Sequence, residues 1–278
     1  MDVKAVLLNL LSSAIWASIG AILLRVFFSY RVVRPGHNLW QIKNPKELVI
    51  VASASSSTHT GEYLRRATGV GDLRALAPIV SSLTRSYGKL TIKNIFLASD
   101  QLQERLENDL LLIGGPKTNT VSADLLALAD GCQPIKYQDG RLCWRTLRDG
   151  RWSDEECHIY NGEIDNNSVI RDFGFIIRMD NPFTTNKSTL VFFAGCHTPG
   201  ITAAARYFTE TLSHGFSFRS IRDSNFAVLV SANIRNDYPI HIQLERSYFW
   251  AKENVRQLNP SFKQFSTSVI RRPESDSK

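Results

Sequence analysis

The chain has 278 residues, a formal net charge of +7, and 43% hydrophobic and 10% aromatic residues. That apolar share excludes a wholly disordered chain, and four cysteines without dense, regular spacing exclude a small disulfide-stapled fold. The excess of Lys and Arg falls partly just after the first apolar segment; with no basic helix interleaved with aromatics and no zinc-finger spacing, it gives no case for specific nucleic-acid binding.

Between Lys4 and Arg25 no residue is charged, and Ala5 to Leu24 is dominated by apolar side chains. A helix rises about 1.5 Å per residue, so roughly 20 such residues cross a hydrocarbon core of about 30 Å. Apolar character resumes at Val26, Phe27 and Phe28, which suits a spanning helix better than a cleaved signal peptide, for which Ser18 and Gly20 form a poor site. Lys4 alone precedes the span, offset by Asp2, whereas Arg25, Arg31, Arg34, Lys43 and Lys46 follow it. The side richer in Lys and Arg stays in the cytoplasm, so a single-pass membrane protein with a cytoplasmic domain is expected. The anchor and its basic juxtamembrane segment are assigned to 1–34, an α/β ligand-binding domain to 44–262, and a polar, disordered tail to 263–278. Ser13, Ala17 and Ala21 recur every four residues in the span, a small-residue stripe that offers a homo-oligomer contact. Cys132, Cys143, Cys157 and Cys196 are consistent with a reducing compartment, although two bridges remain conceivable.

Beyond the anchor, strand and helix patterns alternate. Leu48–Ala52 is a continuously apolar run, the mark of a strand buried on both faces, and a Ser- and Thr-rich loop, Ser53–Gly61, follows it. Asp72 is the expected cap of a helix over Leu73–Tyr87, with Gly88 at its stop. Lys89–Leu97 reads as a strand, Gln101–Asn108 as a short helix, and Asp109–Ile113 as another buried strand. After a Gly114-Gly115-Pro116 turn, Val121–Ala129 is a helix. From about 134 to 160 the dipeptides Asp139-Gly140 and Asp149-Gly150 predict hairpin turns and hence an antiparallel insertion. Strands are predicted at Asp172–Arg178 and Ser188–Phe193, then a Gly195-Cys196-His197 turn and a helix over Ile201–Leu212. Two last strands, Phe226–Asn233 and Ile240–Ser247, flank an Asn236-Asp237 turn. The alternation predicts a Rossmann-like, mostly parallel sheet with helices on both faces.

Ligands of such sheets bind beyond the carboxyl ends of the strands, where three special loops converge. Glycines there let backbone approach a ligand, and amides at helix starts attract anions. The expected ligand-binding residues are Ser55, Ser56, Ser57, Thr58, Arg65 and Arg66 of the first loop region, and Gly114, Gly115, Lys117 and Asn119 of the second. The third contributes Gly195, His197, Thr198 and Gly200. They suit a nucleotide-like molecule, but no loop matches a P-loop, and Gly69-Val70-Gly71 is a lone fragment of a dinucleotide fingerprint lying too far from its strand.

Two classes follow. The first is a membrane-anchored cytoplasmic receptor or effector for a nucleotide-like ligand. The second is a membrane-tethered hydrolase acting on a nucleotide, dinucleotide or acyl-type substrate. Cys196 would be its nucleophile and His59 the base, oriented by Glu62 or Asp100; alternatively Glu62 would stabilise an oxocarbenium-like centre. No cofactor is expected. No metal is either, since Cys132, Cys143, Cys157 and His158 include no Cys-x-x-Cys pair.

Overall fold

The structure is a computed structural model. It describes residues 3–60, 63–88, 90, 92–102, 105–138, 141–149, 151–212 and 224–251, with backbone alone at 3, 5–10, 32, 55–60, 63–66, 92 and 151. The predicted tail at 263–278 lies outside the described residues.

The apolar N-terminal segment is a helix long and apolar enough to span a membrane. α1 (Val3–Phe28) runs through a π-helical turn, Ser29–Val33, straight into α2 (Arg34–Trp40). Along α1, Leu11, Ile15, Trp16, Ile22, Leu23, Leu24, Phe27 and Phe28 are exposed. Burial begins abruptly in α2. Trp40 is 0% exposed, stacks edge-on against Phe193 and Phe208, and donates its indole N–H to Ser82. The helix ends at Gln41, whose left-handed φ of 55° turns the chain into the domain. The N-terminal helix thus has no linker to the domain: the last turn of α2 is part of the core.

The strands are β1 (Val49–Ala52), β2 (Ser55–Thr60), β3 (Tyr63–Ala67), β4 (Ile95–Leu97), β5 (Leu110–Ile113), β6 (Ile135–Gln138), β7 (Arg141–Arg148) and β8 (Arg151–Tyr160). The chain continues through β9 (Glu163–Asp165), β10 (Ser168–Asp180), β11 (Thr189–Gly195), β12 (Ser224–Arg235) and β13 (Tyr238–Ala251). The other helices are α3 (Val70–Tyr87), α4 (Thr120–Leu128) and α5 (Thr198–Arg206), the last continuing as a π-helical stretch, Tyr207–Leu212. The fold is mixed α/β. The main sheet has the order β13-β12-β10-β11-β5-β1-β4, with β9 beside β10. Its parallel block is β11, β5, β1 and β4, and β10, β12 and β13 extend it antiparallel.

Alternate residues of each buried strand serve opposite layers. Ile50, Leu111, Ile113, Val191 and Phe193 face α2, α3 and α5. Val49, Val51, Leu110, Leu112 and Phe192 face α4 and the insertion. That insertion is the expected antiparallel unit, a separate sheet of β6, β7 and β8. Asn236 and Asp237, with φ of 52° and 57°, form the β12–β13 turn as expected.

Several local expectations are corrected. The Ser-rich loop is a hairpin, β2 paired with β3. α3 starts three residues early, with Gly69 at the N-cap position, so Asp72 lies inside its first turn. Pro78 also sits within α3, where it lacks the amide that would bond to the Arg74 carbonyl. The strand predicted from Lys89 is confined to β4, preceded by a 3-10 turn at Ile92–Asn94. Between Gln101 and Asn108 the described residues form turns and single-turn 3-10 structure rather than an α-helix. Cys143 and Cys157 form a disulfide between β7 and β8, their Cα atoms 5.7 Å apart, whereas Cys132 and Cys196 are free. The bridge withdraws the support the cysteines lent to a reducing compartment.

The start of α5 lies directly on β10. A Cβ on Gly174 would overlap the Gly200 carbonyl oxygen, and one on Gly200 would overlap the Phe173 carbonyl. Gly200→Ala therefore destabilises the domain by about 1–3 kcal/mol through overpacking, read as a lower urea midpoint at unchanged slope.

Candidate functional site

Each loop at the carboxyl edge of the parallel block is tied down by a buried polar side chain. After β1, the Ser53 amide donates to Asp72 Oδ2 at 3.0 Å, and the Thr68 hydroxyl donates to the same oxygen. Burial pushes the Asp72 carboxyl above its ordinary pKa, against the opposing effect of those bonds. After β5, Gly114 takes a φ of 101°, and a side chain there would overlap Ser53 Oγ. Asn119 is 0% exposed; it accepts from the Ser122 amide and donates to the Ile113 carbonyl, so it caps α4. Its polar groups are spent within the fold.

After β11 the anchor point is Asp172, on β10 and 0% exposed. Its carboxylate accepts from the backbone amides of Phe173, His197 and Gly200, the last at 2.6 Å. It also meets His197 Nδ1 at 3.2 Å. An internal carboxylate therefore occupies the anion-binding position at the start of α5. The hydrogen bond to Asp172 raises the His197 pKa, outweighing partial burial, and the positive charge of Lys117 works weakly the other way. With Nδ1 engaged, Nε2 is the ring nitrogen left to meet a ligand.

Cys196 sits beside this pair, its thiol donating to the Tyr160 carbonyl at 3.4 Å. Burial, with the negative Asp172 nearby, pushes its pKa up to about 12. A thiol so held is not a ready nucleophile. Gly195 supplies the carbonyl that receives the Tyr137 hydroxyl at 2.7 Å, and Gly115 packs against the same ring.

A cavity of about 550 Å³ opens between the starts of α3 and α5, lined by Gly69, Val70, Gly71, Arg74, His197 and Thr198, with Thr202 and Asp237 at its side. The two helix starts touch: a Cβ on Gly71 would overlap the Thr198 methyl, and Thr202 Oγ1 donates to the Gly71 carbonyl. No side chain caps α3 at Gly69; the Asp72 and Leu73 amides bond to the Gly69 carbonyl, which leaves those of Val70 and Gly71 for whatever occupies the cavity. Arg74 is held at the rim by a 2.7 Å bond to the Asp237 carbonyl.

Of the residues predicted to bind ligand, His197 and Thr198 line this cavity, and Gly195 and Gly200 shape the turn beneath it. Gly114, Gly115, Lys117 and Asn119 belong to the neighbouring loop and do not line it. Ser55, Ser56, Ser57, Thr58, His59, Arg65 and Arg66 lie on the β2–β3 hairpin, where backbone alone is described, and Glu62 lies outside the described residues. Sequence reasoning missed Arg74 and Asp172. It also set aside Gly69-Val70-Gly71 for its distance from a strand, although that distance is spanned by a hairpin. No protein-family model matches the chain, and no curated protein matches it.

Proposed function

We propose that this protein is a membrane-anchored receptor or effector whose cavity binds a nucleotide-like, phosphate-bearing small molecule, with the domain on the cytoplasmic side. The reading rests on one observation: the uncapped start of α3 faces a cavity also lined by Arg74 and His197. Backbone amides, a guanidinium and an imidazole with a raised pKa form a donor-rich, cationic setting for phosphate. The volume is within the usual range for small-molecule sites. In this proposal the parallel block works as Rossmann-like sheets do, presenting ligand at its carboxyl edge. The flanking cations carry the orientation, and Ser13, Ala17 and Ala21 supply the contact by which liganded copies associate.

The test is calorimetric titration of the full chain in neutral detergent with a panel of mono- and dinucleotides. At least one binds, and Arg74→Glu weakens it by about 10–100-fold, the loss of one charge-assisted bond. A panel without any heat of binding overturns the proposal.

The hydrolase alternative moves away from Cys196, whose thiol stays protonated. It keeps the Glu62 route, and gains the buried Asp172 that orients His197, an arrangement suited to a general base.

A further inference from the structure

A second cavity lies at the opposite edge of the sheet. The anchor enters the domain at the amino edge of the parallel strands. There Asp109, just before β5, accepts from the amides of Lys43, Asn44 and Thr189, and the Gln41 carbonyl receives the Thr189 hydroxyl. At this edge a cavity of about 250 Å³ is lined by Lys46, Lys93 and Arg105, by Asn94 and Asn108, and, among the described residues, by one acid, Glu47. Its wall is built rather than incidental. Asn94, 5% exposed, donates to the carbonyls of Lys46 and Leu48 and so fixes the Lys93 turn against the start of β1. Arg105 lies over the Phe96 ring at 4.7 Å. Among the described residues none of the three cations enters an ion pair.

The N-terminal helix fixes how far the amino edge of the domain is from lipid. Arg31 and Arg34 fold over Phe27 and Tyr30, the pairing of aromatic rings and cations that marks a bilayer interface. From Arg34 the helix rises only about 9 Å to Trp40, where the domain begins. That places the start of the domain just beyond a headgroup layer of about 5–8 Å per leaflet, and within one Debye length, about 10 Å at 0.1 M salt.

We propose that this amino-edge cavity binds the phosphate of an anionic phospholipid headgroup in the leaflet next to the domain. The cations on the helix and those of the cavity together hold the domain's lower face on the membrane. The inference rests on α1 being embedded in a bilayer and is independent of what the upper cavity binds.

The experiment is native mass spectrometry of the full chain in neutral detergent, titrated with dioctanoyl phosphatidic acid, phosphatidylglycerol or phosphatidylcholine, or with inorganic phosphate. The two anionic lipids bind; phosphatidylcholine and inorganic phosphate bind at least tenfold more weakly. Each cation near an anionic surface contributes about fivefold, so the triple variant Lys46→Gln, Lys93→Gln, Arg105→Gln loses about 100-fold in affinity. Arg105→Lys, which keeps the charge, stays within about fivefold of the unmodified chain by the same reckoning. Anionic lipid binding undiminished in the triple variant overturns the proposal, as does inorganic phosphate binding as tightly as lipid, which would assign the cavity to a soluble anion.

Discussion

Replacing Arg178 by Ala costs the domain about 3–5 kcal/mol and loosens the N-terminal helix from it. Arg178, 1% exposed on β10, donates to the carbonyls of Asn38 and Leu39 at the end of α2 and to Ser224 at the start of β12. Its guanidinium also lies over the Phe226 ring at 4.5 Å. Burial pulls its pKa down to about 9, so it remains charged at neutral pH. The expected cost comes less from the lost attraction than from three carbonyls left without that donor in a closed interior. Chemical unfolding of the full chain in detergent measures the loss. Limited proteolysis near Gln41 measures the loosening, and an unaltered cleavage rate would show that the helix end is held by its contacts with α3 and Asp109 without Arg178.

Asp172→Ala is expected to cost about 2–4 kcal/mol, because the amides of Phe173, His197 and Gly200 lose their common acceptor. A second effect separates this from simple loss of packing. The His197 pKa is raised in the fold, so its pairing with Asp172 contributes stability that is complete below the unfolded value near 6.5 and fades as pH rises through the folded value. In the variant that pH dependence disappears and the His197 titration, followed by NMR, moves down. A titration unchanged by the substitution would contradict the pairing.

The apolar N-terminal helix, the buried strands and the insertion were legible because each rests on a local pattern: an uncharged apolar run, a short continuous hydrophobic stretch, or paired Asp-Gly turns. The β12–β13 turn was legible for the same reason, since Asn236 and Asp237 tolerate positive φ. What escaped depends on long-range pairing. The hairpin of β2 and β3 has the composition of a loop, and nothing local distinguishes the two. Asp72 has the residue type and position of a helix cap, yet its carboxylate is drawn to Ser53, 19 residues earlier. The role of Asp172 likewise depends on β10 lying next to β11, an antiparallel neighbour that spacing along the chain does not reveal. Ligand loops were sought after strands, so an uncapped helix start reached through a hairpin was passed over.

α3 joins the two ends of the molecule. Its first turn rims the upper cavity, while its last turns hold α2 and the residue after it through Ser82, Ser86 and Tyr87. With 18 residues it is a strut of about 27 Å. It is not uniformly stiff, because the bond that Pro78 omits is the one to Arg74. The strut is clamped at the end that holds α2 and jointed near the end that rims the cavity, so a pull on Arg74 is expected to bend it at the joint before the clamp has to yield.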